Sequence, residues 1–279
     1  VMLSSNESLT FIKEDVGVEI LTCIKQVPGT TEVEVDEETG VLKRSGIDSK
    51  MNPYDLYAIE TAMQIKKETG AVVGVISMGP PQAGEVIREA YMIGADKGAL
   101  LSDRKFAGAD VLATSFTIAQ GVKKVGMPDL IICGKQTTDG DTAQVGPELA
   151  EFLGIPHVAN VINLVEVKDE AIVVDMDLPS AVQTVEIEFP CLITVEKGIF
   201  EPRLPSFTLK METKDRDIPI YRLKDFENKD DKKYGLNGSP TQVLRIFPPE
   251  SSVESELWAG SGDELADRLF DKLVQAKFV

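Results

Sequence analysis

The chain has 279 residues and a formal net charge of −17 at pH 7. That length buries a substantial core as one large domain or one domain with an extension, and the acidic balance disfavours nucleic acid and anionic membranes as partners. No apolar run approaches the roughly 18 residues of a membrane span, and residues 1–15 carry acids without a long apolar core, so no secretory signal is expected.

Residues 18–24 read as the first strand, ended by Pro28-Gly29. The acidic stretch 32–40 reads as a hairpin excursion with a Glu38-Thr39-Gly40 turn. Asn52 and Pro53 then open a helix that runs through Leu56, Ile59, Met63 and Ile65 to Gly70, with Asn52 placed to cap it and Pro53 suited to its first turn. Strands over 71–77, 97–102 and 130–133 alternate with helices over 82–93, 110–125 and 144–153. Near-continuous apolar strands alternating with helices predict an α/β fold whose doubly wound, mostly parallel sheet is covered on both faces.

Past residue 157 the pattern changes. Segments 161–167, 171–177 and 182–188 read as a smaller antiparallel section, and 191–195 as one more apolar strand. Segment 197–250 is rich in proline and charge and lacks periodicity, as in a functional loop or an arm wrapped on a partner. Leu265, Leu269 and Leu273 recur at helical spacing after the flexible Gly260-Ser261-Gly262, so a C-terminal helix is expected to dock its apolar stripe. The division drawn is an N-terminal extension (1–17), an α/β domain (18–211), an extended arm (212–261) and a C-terminal helix (262–279).

Cys23, Cys133 and Cys191 lie far apart beside apolar runs, with no CxxC and no metal-ligand cluster. They read as buried, reduced thiols of a cytoplasmic protein. His157, the one histidine, is placed in a loop between helix and strand and read as structural, since no nucleophile and acid accompany it.

The stretch 134–147 carries the chemistry. It runs Gly134-Lys135-Gln136-Thr137-Thr138-Asp139-Gly140-Asp141-Thr142-Ala143-Gln144-Val145-Gly146-Pro147, between a strand and a helix. Such a loop exposes backbone N–H groups and short hydroxyls at a helix N-terminus, where the dipole favours an anion such as phosphate. Loops at Lys25-Gln26, at Ser77-Met78-Gly79 and at Ser102-Asp103-Arg104 fall at the same end of the sheet, where the strands' carboxyl ends meet in one crevice. Neither a GxGxxG fingerprint nor a GxxxxGK[ST] loop is present.

Five ordered motifs are recognisable: Cys23-Ile24-Lys25-Gln26-Val27-Pro28, Asn52-Pro53-Tyr54-Asp55, Met78-Gly79-Pro80-Pro81-Gln82-Ala83, Gly94-Ala95-Asp96, and Gly134-Lys135-Gln136 with Asp139-Gly140-Asp141. Together they closely resemble the β subunit of electron transfer flavoprotein, over roughly residues 18–211. The resemblance implies a heterodimer with an α subunit, and a nucleotide that is either a structural AMP or a second FAD. It implies cofactor contacts at Cys23, Lys25, Asn52, Tyr54, Asp55, Ser77, Met78, Gly79, Thr114, Gly134, Lys135, Asp139, Gly140, Asp141, Thr142, Ala143, Gln144, Val145 and Gly146. Asp139 and Asp141 sit awkwardly near a phosphate and are expected to point away or to cap the helix.

Loops 77–83 and 102–110 resemble those of the electron-bifurcating branch, in which the β subunit carries FAD and exchanges electrons with NAD(H). There Asp103 and Arg104 would lie under the flavin, with Arg104 as the cation near its reduced edge or as a solvated loop charge. The segment Glu201-Pro202-Arg203-Leu204-Pro205-Ser206-Phe207 resembles the family's recognition loop for a flavin-containing dehydrogenase. Glu201, Arg203 and Phe207 are then partner contacts, Phe207 as an apolar anchor or as an aromatic tucked on its own domain. A ferredoxin is the implied low-potential acceptor. An ordinary AMP-holding β subunit and a nucleotide-sensing binding module are the competing readings.

Overall fold

The computed structural model describes residues 17–29, 49–244 and 255–279; the 32–40 hairpin and the extension before residue 17 lie outside them. The chain divides into two compact units between Val243 and Leu244.

In the first unit β1 (Glu19–Ile24) leads into a short antiparallel pair, β2 (Gln26–Pro28) and β3 (Ser49–Met51). There follow α1 (Pro53–Thr69), β4 (Val72–Met78), α2 (Gly84–Ile93), β5 (Lys97–Leu101), α3 (Val111–Val125), β6 (Leu130–Gly134) and α4 (Val145–Leu153). Then come β7 (His157–Val167), β8 (Ala171–Leu178), β9 (Ala181–Glu188), β10 (Cys191–Val195), α5 (Phe207–Thr213) and β11 (Ile220–Tyr221). One nine-stranded sheet takes the order β11-β5-β4-β1-β6-β10-β7-β8-β9. Pairings from β11 to β7 are parallel, and β7-β8-β9 is an antiparallel meander at one edge.

The apolar strand sequences follow from burial on both faces. In β1, Ile20 and Ile24 join the core under α1 and α2, while Leu21 and Cys23 face α3 and α4. Pro53 sits in the first turn of α1, and Gly70, at φ 76°, ends the helix by donating its N–H to Lys66 O at 2.9 Å. Asp110 caps α3 through Ala113 N at 3.0 Å.

Two placements differ from the sequence reading. His157 opens β7 instead of lying in a loop, because β10 returns between β6 and β7 and pairs Leu192 with His157 in parallel. The segment read as an arm from 212 packs on the α/β layers up to Thr241. Its β11 extends the sheet beside β5, and its buried Phe226 stacks on Phe106 while Tyr234 packs tilted against the same ring, at centroid distances of 5.6 Å each. It shows no periodicity in sequence because it contributes a two-residue strand and single 3-10 turns, and its buried apolar side chains, Tyr221, Leu223, Phe226 and Tyr234, are scattered among exposed residues.

In the second unit α6 (Gly262–Gln275) begins with a capping box between Ser261 and Glu264. Leu269, Phe270, Leu273 and Val274 are exposed within that unit. Trp258 lies under the Arg268 guanidinium, 4.6 Å from ring centroid to Cζ.

Candidate nucleotide site

The chain order of the parallel strands reverses at β1: β4 and β5 lie on one side of it, β6 and β10 on the other. The crevice outside the carboxyl ends of strands at such a reversal is the ligand place of open α/β sheets. The loops after β1, β4, β5 and β6 therefore share one edge, in the spatial order β5, β4, β1, β6.

At β1 and β6 the edge is built from polar contacts. Asn52 is fully buried and ties three segments together. Its amide nitrogen donates to Asp55 Oδ1 at 2.8 Å and to Gln136 O at 2.9 Å, and its oxygen accepts from Thr138 N at 3.2 Å. Asn52 stands at the cap position of α1 but makes no side-chain cap; its amide is spent on the 136–138 loop instead. Asp55 accepts from Lys25 N at 2.7 Å. Burial pushes its carboxyl up to about 7, against the lowering pull of the Asn52 and Lys25 hydrogen bonds.

Lys25 Nζ holds both carboxylate oxygens of Asp139 at 2.8 Å, joining the β1 loop to the β6 loop. Burial raises the Asp139 carboxyl, but Lys25 outweighs it and the net position is lowered. Asp141 pairs with the Gln136 side chain. Both acids are thus engaged by other side chains and neither caps α4: no side chain caps it, and Gln144 stands at its cap position. The first turn of α4 thus lacks a side-chain cap, an arrangement that favours an anion. Asp141 (φ 55°) and Ala143 (φ 56°) hold left-handed backbone just before the helix. Such strain in residues other than glycine gathers at ligand clamps. Thr142, between them, and Gly140, just before them, are exposed.

Two glycines are fixed by close approach. A Cβ on Gly134 would meet Asp55 Oδ1 and the Tyr54 backbone carbon, each at 2.7 Å. A Cβ on Gly146 would lie 2.5 Å from Thr194 Cγ2, so this glycine seats α4 against β10. Val145, half-buried, begins that helix.

Some expected contacts are turned elsewhere. Lys135 donates its N–H to Val195 O at 2.9 Å, and its ammonium pairs with Glu196, so it faces β10. Thr114 lies half-buried on the first turn of α3. At β4, Gly79 N donates to Leu101 O at 3.1 Å, Met78 is half-buried, and the buried Ser77 Oγ lacks a protein partner among the described residues. At β5, Asp103 is spent on the backbone: Oδ1 accepts from Lys105 N at 3.1 Å and Oδ2 from Leu223 N at 3.2 Å. Arg104 is exposed. Cys23 is half-buried at the end of β1.

On the recognition-like segment, Glu201 and Phe207 are exposed, and Phe207, its last residue, opens α5. Arg203 instead clasps its own domain: Nε and Nη2 bind the carboxylate of Glu60 at 2.7 and 2.8 Å. Glu60 is buried, and a buried carboxylate requires such a partner. The signal for it was an acid on the apolar stripe of α1, four residues after Leu56 and three before Met63.

Fold and edge together define a doubly wound α/β protein whose strand order reverses at β1, with the polar loops after β1 and β6 joined side by side. The model of the electron transfer flavoprotein domain matches residues 39–225. The chain is 41% identical over 262 residues to the caffeyl-CoA reductase–Etf complex subunit CarD of Acetobacterium woodii, covering 93% of this chain and 99% of that one. It is 40% identical over 272 residues to the electron transfer flavoprotein subunit beta of Megasphaera elsdenii, covering 94% of this chain and 100% of that one. It is 40% identical over 242 residues to protein FixA of Azorhizobium caulinodans, covering 84% and 86% of the two chains. The chain belongs to the electron transfer flavoprotein family, as a β-type subunit.

Proposed function

We propose that this subunit binds FAD and works in flavin-based electron bifurcation or its reverse. In this reading it pairs with an α subunit, exchanges electrons with NAD(H), serves a flavin-containing dehydrogenase in the cytoplasm, and delivers low-potential electrons to a ferredoxin. The observation that carries the reading is the continuous edge of four carboxyl ends. Three strand spacings make it about 14 Å long. A mononucleotide needs only the β1–β6 end with its uncapped helix. A dinucleotide would run on across the β4 and β5 loops, where the Ser77 hydroxyl and the Arg104 guanidinium stand.

When bound, FAD supplies the redox chemistry. The chain's own residues do the holding. The start of α4 and the 139–146 backbone take the phosphates, with Gly140 and Thr142 nearest the open side. Asn52, Tyr54 and Asp55 shape the wall behind them, and Lys25 balances the anionic charge. Met78, Gly79 and Arg104 form the floor of the flavin end. Glu201 and Phe207 meet the dehydrogenase, and the apolar stripe of α6 meets the α subunit.

One observation favours the AMP alternative: the Asp103 carboxylate is already committed to two backbone N–H groups. Extracting cofactors from the chain purified with its α subunit decides the matter. Two FAD per heterodimer are expected. One FAD with one AMP would establish the structural-nucleotide reading, and a monomer carrying ATP would establish a binding module.

A further inference from the structure

Cys23 and Cys133 are direct register partners on the parallel strands β1 and β6. Both point to the same face of the sheet. Cys133 belongs to the core under α3 and α4, and Cys23 packs against that core. Neighbouring strands lie about 4.8 Å apart, inside the Cα separations that a disulfide spans. The pair occupies the last shared rung before the crevice, and the Cβ position of Gly146, on the first turn of α4, is 3.7 Å from Cys133 Cβ. Cys23 is the half-buried member and Cys133 the buried one. An oxidant entering from the crevice therefore reaches Cys23 first, with a second thiol already beside it.

We propose that Cys23 and Cys133 are a modification site at which a peroxide closes a disulfide that staples β1 to β6 at the base of the crevice. The Cys23 thiolate attacks one peroxide oxygen, the O–O bond breaks, hydroxide leaves, and Cys23 becomes a sulfenic acid. The Cys133 thiolate then attacks the Cys23 sulfur; the S–S bond forms as the S–O bond breaks, and a second hydroxide leaves. The two thiol protons convert both hydroxides to water, so two thiols are oxidised by two electrons and one peroxide is reduced. The neighbouring Cys23 sulfur, then burial, hold the Cys133 thiol in its neutral form. Attack by Cys133 accordingly speeds up as pH rises. Cys191 sits in the core on the opposite face, where burial pushes its thiol up to about 12. It serves as the internal control.

The test treats the full chain with hydrogen peroxide, denatures it, alkylates the remaining thiols and maps the peptides by mass. Of three thiols, two are expected to disappear, with the Cys23 and Cys133 peptides joined, two hydrogens lighter, and separated again by dithiothreitol. Cys191→Ser should leave that link intact. Cys133→Ser should abolish it and leave Cys23 as a sulfenic acid that dimedone traps. Wild-type chains in which Cys23 advances to sulfinic acid without a link, or in which all three thiols survive peroxide, would overturn the proposal, and neither result depends on a variant folding.

Discussion

The carboxyl edge of the sheet is held down in two different ways. At β1 and β6 the loops are fastened by polar contacts: the Asn52 amide, the Asp55 carboxyl and the Lys25–Asp139 ion pair. At β5 the 102–110 loop is riveted from outside by the segment 221–241, through stacked rings of Phe106, Phe226 and Tyr234, through Asp110, which accepts from Thr241, and through Gly235, whose backbone lies against Lys105 and Ala107. A polar fastening can be exchanged for an anionic ligand at modest cost, because each contact has an equivalent in the ligand or in water. A stacked apolar rivet has no such substitute. The difference separates the part of the edge that adapts to a ligand from the part that is preset.

The largest effect should come from pulling a rivet. Phe226 is 2% exposed and stacks on both Phe106 and Tyr234. Phe226→Ala removes a ring and leaves a cavity, so a loss of about 3–5 kcal/mol is expected in chemical denaturation. Limited proteolysis should then cut first within 222–241. If stability fell by less than about 1 kcal/mol, close to what surface changes produce, the segment would be an ornament and the contrast between the two ends would collapse.

The polar end should announce itself through pH. The folded state of Asp55 holds its proton up to about 7 because of burial. An unfolded aspartate releases it near 3.9. The folded state therefore binds the extra proton between those values, and the stability this confers is complete at low pH and is lost as pH rises through about 7. About 2 kcal/mol of that loss falls between pH 5.5 and 8. Denaturation curves should show wild type weakening across this window relative to Asp55→Asn, which carries no titrating group there. A difference between the two proteins that stays constant with pH would mean that Asp55 titrates as an ordinary carboxylate.

The two ends also differed in how far they could be read from sequence. The strands, the crossover helices and the loop before α4 follow from apolar runs, glycines and caps, all local signals. The family motifs lie in that same local material. What could not be read were contacts between distant segments. The amide of Asn52 resembled a helix cap because the sequence shows Pro53 beside it and not Gln136. Arg203 resembled a free docking charge because its partner, Glu60, is 143 positions away. The rivet was invisible for the same reason: Phe226 and Tyr234 carry no period, and only the fold sets them against Phe106.

The smallest effect belongs to the Lys25–Asp139 pair, and there the sign matters more than the size. Their side chains are 42% and 33% exposed, so solvent screens the pair and breaking it should change stability by no more than about 1 kcal/mol. Ligand binding should respond in opposite directions. Lys25→Met removes the cation that joins the β1 and β6 loops and should weaken AMP binding by roughly fivefold at low salt. Asp139→Asn removes a carboxylate and frees Lys25 to face the anion, so binding should tighten by a similar factor. Both changes should shrink as salt is added. Titration calorimetry with AMP reads both. If the two substitutions weakened binding alike, the pair would be a fixed brace for the 136–144 loop, and the polar end would be no more adaptable than the riveted one.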